Sequence, residues 1–235
     1  MINDVRNTVL AIMNKDNNGY LTPDQFNLYA KQAQLEIFES YFYSKSNAVN
    51  KTNAHMHTSG LGDISKRLSE VIERFTVEGI PVWNGTTLRY TIPTDAYSLG
   101  TVTYLATGVE IEHMAHNKIL NLNSSMDTAP STTYPVYTII ASEMQVYPNT
   151  ITTTGQVVQY YVRYPADPKW TYNGLSGGEP IFNQSAGDYQ DFEISKDDEN
   201  NLIEKILQFA GTQIREPEIV QSAKTDEVQE KQEQL

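Results

Sequence analysis

The stretch GQVVQYYVRYPADPKW, residues 155–170, combines the clearest strand pattern of the chain with an abrupt end to that strand. Val and Tyr occupy every second position from 158 to 164, with Gln, Tyr and Arg between them, so we predict a strand with one apolar and one mixed face. Pro165 and Pro168 have no N–H group for a ladder hydrogen bond, and the strand must end or leave its sheet there. The stretch therefore marks the point where a β-layer returns the chain to a helical layer.

The composition argues against several classes of protein. The chain has 235 residues, including 15 Tyr and no Cys, and its net charge is −12. Without Cys it has no disulfide, no thiol nucleophile and no Cys-ligated metal. An acidic chain lacks the clustered Lys and Arg that hold nucleic-acid phosphates. No apolar run approaches the roughly 18 residues of a membrane span, and no secretory signal opens the chain, so we expect no membrane association.

Two helices are predicted before residue 44. Apolar residues recur at helical spacing over residues 2–13, which predicts a short amphipathic helix. Thr22, Pro23 and Gln25 have the sequence of an N-cap, a first helical residue and a capping-box partner, and the second helix is predicted to end near Tyr43. It carries two apolar stripes, one of Phe26, Ala30, Ala33, Ile37 and Tyr41 and one of Leu28, Leu35 and Phe42. Two stripes indicate burial on two sides, against sister helices or a neighbouring subunit.

The middle of the chain predicts a small antiparallel β-domain. A polar loop or arm over residues 44–62 leads to a third helix at 64–77, which Gly79 and Pro81 close. The pair Asn84-Gly85 predicts a hairpin with a type I′ turn. A stretch poor in strands is expected at 110–130, and further strands are predicted at 98–105, 134–140, 143–147 and 157–164.

A last helix is predicted after a Gly- and Ser-rich crossing segment. Ser195 and Asp198 resemble its capping box, residues 202–210 form its apolar face, and Gly211 is predicted to follow its end. The N-terminal helices are its available partners. We therefore predict an α+β fold, with a helical bundle formed by the N-terminal helices and the C-terminal helix, and an inserted small antiparallel β-domain. The predicted regions are the N-terminal helical region 1–79, the β-domain 80–170, the crossing segment and last helix 171–217, and an acidic, solvated tail 218–235.

Two patterns in the sequence approach a metal site without completing one. The segment from Asn14 to Gln25 resembles an EF-hand loop, but these two residues replace the acidic ligands that calcium needs at the first and twelfth positions. The spacing of metal ligands on one helical turn is found at Glu110, His113 and His116, but no HExxH motif accompanies it. Ordinary explanations suffice for both, since Gln25 serves the capping box and exposed histidines are common, so we predict no metal and no cofactor.

A third pattern, G-x-S-x-G around Ser176, resembles a nucleophile elbow. Pro180 follows where a helix should begin, and no His occurs after Ser176, so the context of a hydrolase is missing. We predict no catalytic residue. On physical grounds the chain is an α+β structural or interaction protein rather than an enzyme.

The aromatic residues of the strand exit suit either base stacking or protein contact. Because the chain is acidic, we prefer contact with the core or with another subunit. The candidate subunit-interface residues are Phe26, Leu28, Leu35, Phe42, Tyr160, Tyr164 and Trp170.

Several segments, taken together in their order along the chain, resemble one family. They are NKDNNGYLTPDQF at 14–26, YYVRYPADPKW at 160–170, DFE at 191–193, LIEKILQFAG at 202–211 and IREP at 214–217. The chain resembles the head-to-tail connector proteins of crAss-like and other short-tailed bacteriophages. The resemblance implies a virion protein that is assembled in the host cytoplasm. It also implies an adaptor ring, commonly of twelve copies, that lies under the portal protein, extends the DNA channel and docks tail proteins, without catalysis.

The physical features of the chain suit that role. A closed ring needs two different contact faces on each subunit, which the second helix and the Tyr-rich strands offer. An acidic lumen would let DNA pass without specific binding. We expect the tail to dock a partner through Glu227, Glu230 and Glu233. One alternative is a tail-associated protein that binds carbohydrate or a receptor, with Tyr and Trp as stacking platforms, or that has another interaction role in the virion. A second alternative is a calcium-regulated or metal-dependent enzyme.

Overall fold

A computed structural model describes residues 1–14, 21–53, 64–174 and 180–214 of the chain. Its described helices are α1 (Ile2–Met13), α2 (Pro23–Asn53), α3 (Ile64–Glu73), α4 (His116–Asn123) and α5 (Glu199–Ile214). The longer strands are β1 (Thr76–Gly79), β3 (Arg89–Thr91), β4 (Ala96–Tyr104), β7 (Val136–Ile140), β8 (Glu143–Tyr147) and β9 (Val157–Arg163). The two-residue strands are β2 (Trp83–Asn84), β5 (Val109–Glu110), β6 (Glu112–His113), β10 (Tyr172–Asn173) and β11 (Ile181–Phe182). This mixture of helices and mainly antiparallel sheets confirms the α+β class.

The chain divides into two compact units. The first consists of Met1–Val71 together with Pro165–Leu235, and the second is the continuous segment Ile72–Tyr164. Pro165, where strand formation was predicted to stop, is the first residue of the returning part of unit 1. None of the helices in the described residues is long and apolar enough to cross a membrane.

Local signals define the start of unit 1. Helix α1 covers the predicted residues 2–13. The predicted capping box of α2 is confirmed, because the Thr22 backbone N–H donates to Gln25 Oε1 over 3.1 Å and the Gln25 N–H donates to Thr22 Oγ1 over 3.3 Å. Helix α5 contacts both α2 and α1. Unit 1 therefore joins the two ends of the chain through helix contacts.

Helix α2 is longer than predicted. It continues through residues 44–53 to Asn53, so the predicted end near Tyr43 is wrong, and so is the first half of the predicted loop 44–62. This polar segment contains no Gly or Pro that would break a helix. The rest of that loop, residues 54–62, lies outside the described part of the chain.

Two other helix ends also differ from prediction. Helix α3 ends at Glu73 rather than Val77, and the β-branched pair Thr76 and Val77 begins strand β1 instead. The Ser195 side chain makes no capping bond to the short 3-10 helix Lys196–Asp198, which precedes α5. Gly211 is helical, so the predicted helix end there is wrong.

Unit 2 contains two sheets. The four-stranded sheet has the order β1-β9-β4-β5 and is antiparallel throughout. The five-stranded sheet has the order β2-β3-β8-β7-β6 and is antiparallel except for the parallel pair β6–β7. Both sheets contribute to one core cluster, whose members are Tyr90, Val102, Ile111, Tyr137, Met144, Val146, Ile151 and Val157. The stretch predicted to be poor in strands, 110–130, contains only parts of β5 and β6 together with α4.

The apolar and mixed faces predicted for β9 do not correspond to a buried and an exposed side, since Val158 on the apolar face is buried as well. Gln159 and Tyr161 are buried, whereas Tyr160 and Tyr164 are 40% and 41% exposed. Gly79, the cross-strand partner of Gln159, makes room for the Tyr161 ring, because a Cβ atom on Gly79 would lie 2.9 Å from Tyr161 Cε1. The Tyr161 hydroxyl donates to Asp95 Oδ1 over 3.2 Å. A tyrosine with a polar partner for its hydroxyl is as suitable for the inside as a valine.

The hairpin at Asn84 is confirmed, but its predicted turn is wrong. Strands β2 and β3 pair Asn84 with Arg89, which leaves a four-residue loop. The Asn84 Oδ1 atom accepts the N–H of Thr86 over 3.0 Å, so the side chain organises the loop and Leu88 takes the positive φ of 55°. Positive φ at both central residues, as in a type I′ turn, occurs between β7 and β8 at Ala141 and Ser142.

Candidate interaction surfaces

A row of polar side chains on α2 holds the returning chain of unit 1. Asn27, Gln34 and Tyr41 are spaced seven residues apart and therefore lie along one side of the helix. Asn27 Nδ2 donates to the Trp170 carbonyl over 3.2 Å, and the Trp170 N–H donates to Asn27 Oδ1 over 2.8 Å. The Tyr41 hydroxyl donates to Asp198 Oδ2 over 2.6 Å. We call these three residues the polar row.

Gln34 is the central member of the polar row and is 1% exposed. Its Nε2 donates to the Ala166 carbonyl over 2.7 Å, and its Oε1 accepts the Glu193 N–H over 3.1 Å. The Glu193 carboxylate in turn accepts the Ala166 N–H over 2.9 Å. The segment after the strand exit and the segment around Glu193 are thus joined to α2 and to each other.

Trp170 is a core residue, which contradicts its assignment as a subunit-interface residue. It is 1% exposed, and the Arg6 guanidinium carbon lies 3.8 Å from the centre of its ring. Its indole N–H donates to Asn3 Oδ1 over 3.1 Å, and the rings of Tyr172 and Phe182 stack near it at 5.6 and 5.8 Å. The side chain has no surface left for a neighbouring subunit in this structure.

The two apolar stripes of α2 have different environments. All members of the first stripe are buried, and Phe26 among them is 0% exposed, so Phe26 is also a core residue and not an interface residue. In the second stripe Leu28 is 57% exposed, and Leu35 and Phe42 are half-buried. Val49, seven residues after Phe42, is 40% exposed and extends this stripe. We call the second series the outer stripe, and its members are Leu28, Leu35, Phe42 and Val49.

The Phe42 ring packs edge-on against Phe38, with 5.1 Å between ring centroids. Phe38 itself is buried, so the middle of the outer stripe rests on the core. Its two ends, Leu28 and Val49, have the largest exposed fractions of the four. The centre of the outer stripe therefore packs on the core, whereas its two ends are exposed.

A second surface lies on the four-stranded sheet of unit 2. Tyr160 and Tyr164 point to its exposed side, and the Tyr97 ring meets Tyr164 edge-on at 5.1 Å. The exposed residue Glu78 is the direct cross-strand partner of Tyr160. We call Glu78, Tyr97, Tyr160 and Tyr164 the tyrosine face.

Electrostatic shifts in unit 2 concern tyrosines of its core. Burial raises the pKa of Tyr90 to about 12, although the hydroxyl donates to the Thr153 carbonyl over 3.2 Å. Burial also raises the pKa of Tyr137, and the nearby Glu110 carboxylate adds to that shift. These hydroxyls stay protonated at neutral pH.

Some of the residues considered as metal ligands or catalytic groups lie within the described residues, and others lie outside them. His113 packs its ring against Tyr137 at 5.1 Å, and among the described residues no three His, Asp or Glu side chains are placed to hold a metal ion. The other candidates lie wholly or partly outside the described residues: the central part of the EF-hand-like loop (residues 15–20), Ser176, and the proposed docking residues Glu227, Glu230 and Glu233.

None of the three residues of the polar row was predicted as a site residue, although their seven-residue spacing places them on one side of the helix. The contact of Asp191 with the start of α1 was also not predicted. Its Oδ1 accepts the Ile2 N–H over 2.8 Å at the start of α1 and the Phe192 N–H over 2.8 Å. No sequence pattern links Asp191 to a helix that begins 189 residues earlier.

No protein-family model matches this chain, and a search of curated proteins gave no match.

Proposed function

We propose that this chain is the subunit of a ring in the head-to-tail connector of a short-tailed bacteriophage. In this role it joins the portal protein to the tail proteins and extends the DNA channel. It acts by assembly and carries out no reaction. The helical bundle of N- and C-terminal helices forms one body of the subunit, and the acidic tail docks a neighbouring protein through Glu227, Glu230 and Glu233.

The outer stripe is the observation that carries this proposal. It spans residues 28–49 of α2, or about 32 Å from end to end at the 1.5 Å rise of a helix. Its ends are 57% and 40% exposed at Leu28 and Val49, although the opposite side of the same helix is fully packed. Apolar residues that recur every seven positions along one side of a helix support a protein contact, whereas single exposed apolar residues need no explanation.

The segments on which the resemblance depends also support the proposal. Within unit 1, the start of α2 binds the strand exit through Asn27 and Trp170. The DFE segment forms hydrogen bonds with α2 and with the strand exit. The Glu193 N–H donates to Gln34, and the Glu193 carboxylate accepts the N–H of Ala166. The strand exit and the DFE segment are thus bonded to each other and to α2 within unit 1.

Ring assembly can be tested on the purified chain. Native mass spectrometry and electron microscopy should show one closed ring, with twelve copies as the number that the resemblance implies. Antibody labelling of virions should mark the portal vertex. A protein that stays monomeric at every concentration, and that is absent from that vertex, would contradict the proposal.

The exposed tyrosines favour one second candidate, a carbohydrate- or receptor-binding component of the tail. Tyr160 and Tyr164 offer aromatic rings with hydroxyl groups to solvent, which suits stacking on a sugar. Binding on a glycan array that is lost in Tyr160→Ser, together with labelling away from the portal vertex, would favour this candidate over the ring.

A further inference from the structure

The outer stripe and the tyrosine face have complementary chemistry. The stripe is aliphatic at both ends, and Lys45 lies at its edge, three residues after Phe42 and four before Val49. The tyrosine face combines aromatic rings with a carboxylate, since Glu78 is paired across the strands with Tyr160. One surface is therefore apolar with a lysine at one of its edges, and the other is aromatic with a carboxylate.

These two charges are not neutralised within the described residues. Neither Lys45 nor Glu78 takes part in an ion pair there, and Glu78 is exposed. Lys31, on the same edge of α2, differs because its Nζ lies 2.6 Å from Asp167 Oδ2. Glu39 lies on the opposite edge of the stripe, so the two edges of the stripe carry opposite charges.

A ring of identical subunits requires contact between two different patches of the same chain. Contact of the tyrosine face with itself would bring like carboxylates together. Contact of the outer stripe with itself would leave the carboxylate of the tyrosine face without a partner. Contact between stripe and face satisfies both charges and covers the apolar residues.

We infer that the outer stripe of one copy docks on the tyrosine face of the next copy, with Lys45 facing Glu78 of the partner subunit. This contact rests on the proposed ring function and gives that ring its two complementary patches. Leu28 and Leu35 supply aliphatic area to the contact. The tyrosines add large rigid rings whose hydroxyl groups can stay hydrated at its edge.

Charge reversal tests this pairing. The variants are Lys45→Glu, Glu78→Lys and the combination of both, and the subunit dissociation constant is measured by light scattering and native mass spectrometry. Each single reversal should raise that constant about tenfold, because an attraction at the rim becomes a repulsion. The combined variant should return to within about threefold of the original chain, because the pair is restored with its signs exchanged.

Two controls separate this contact from a general effect of charge. Lys118→Glu makes the same change on α4 and should leave assembly unchanged. Lys118→Glu should also fail to rescue Glu78→Lys, because it supplies an acidic group away from the stripe. Circular dichroism of every variant confirms that the surface substitutions leave the fold intact.

The outcomes distinguish the pairing from the ring. A chain that forms rings insensitive to both single reversals, or not rescued by the combination, overturns the pairing and leaves the ring proposal standing. A chain that never assembles overturns both. Glycan binding by a monomer through Tyr160 also overturns the pairing, because another ligand then occupies the tyrosine face.

Discussion

The inner and outer sides of α2 both carry apolar residues, every three or four residues on the inner side and every seventh on the outer side, and the two sides have opposite environments. The inner stripe is buried along its whole length, from Phe26 at 0% to Tyr41 at 7% exposure. The outer stripe remains 57% exposed at Leu28. The polar row runs along the same helix and holds the returning chain at Trp170 and Ala166.

This difference teaches that apolar spacing identifies a helix face without identifying what covers it. The inner stripe is buried in unit 1, in which α5 contacts α2, whereas the outer stripe stays half-buried or exposed within its own chain. The following predictions test this division of α2 by measuring the free energy of unfolding. The measurements use concentrations at which the chain is monomeric, so that assembly does not add to stability.

The largest loss of stability is expected from truncation of a side chain in the inner stripe. Phe26→Ala removes a fully buried ring and leaves a cavity, so the free energy of unfolding should fall by about 3–5 kcal/mol. Chemical denaturation followed by circular dichroism measures the change. A loss below about 1 kcal/mol would mean that the inner side of α2 is not a packed core.

The next loss is expected from the polar row. Gln34→Ala leaves the Ala166 carbonyl and the Glu193 N–H without their partner in a mostly buried site, which should cost about 2–3 kcal/mol. The matched control is Gln32→Ala, at an exposed position two residues earlier, where less than about 0.5 kcal/mol is expected. Equal losses in the two variants would show that the side-chain bonds of Gln34 add nothing to stability.

Local signals allowed much of the fold to be predicted. The Thr22–Gln25 capping box and the periodicity of residues 2–13 depend on neighbours in sequence, and the structure has both. The turn at Asn84 was wrong because its own side chain competes for the loop N–H groups, which the residue pair Asn-Gly does not reveal. The burial of Tyr161 on the mixed face of β9 depends on Gly79, which accommodates its ring across the strands and lies 82 positions from it in the sequence.

The candidate surfaces were only partly predictable, because the burial of a side chain depends on residues that are distant in the sequence. Leu28 and Phe26 look alike in sequence, and only contacts with a distant part of the chain decide which is covered. Trp170 has the composition of an interface anchor, but Arg6 and Asn3 occupy its ring face and its N–H group. The spacing of Asn27, Gln34 and Tyr41 was visible, yet polar residues on a helix usually face water, so the pattern carried little weight alone.

A smaller loss is expected at the end of the polar row. Tyr41→Phe keeps the buried ring and removes only the hydroxyl that donates to Asp198, so a loss of about 1 kcal/mol is expected. Thermal unfolding and denaturant titration both measure this change. Tyr43→Phe is the control, since that side chain is 70% exposed, and it should have no measurable effect. If the two variants lost equal stability, the hydroxyl bond to Asp198 would not fasten the short 3-10 helix.

The smallest change in stability is expected on the outer stripe, and it sharpens the comparison with Phe26 most directly. Leu28→Ala should cost less than about 1 kcal/mol, because the side chain is 57% exposed and buries little area in the monomer. The same variant should nevertheless weaken subunit assembly, since the removed atoms lie in the proposed contact. A residue that matters for assembly and not for folding is what the division of α2 requires. A loss of several kcal/mol at Leu28 would instead place the outer stripe in the core of its own chain, and the two sides of the helix would then differ in degree and not in role.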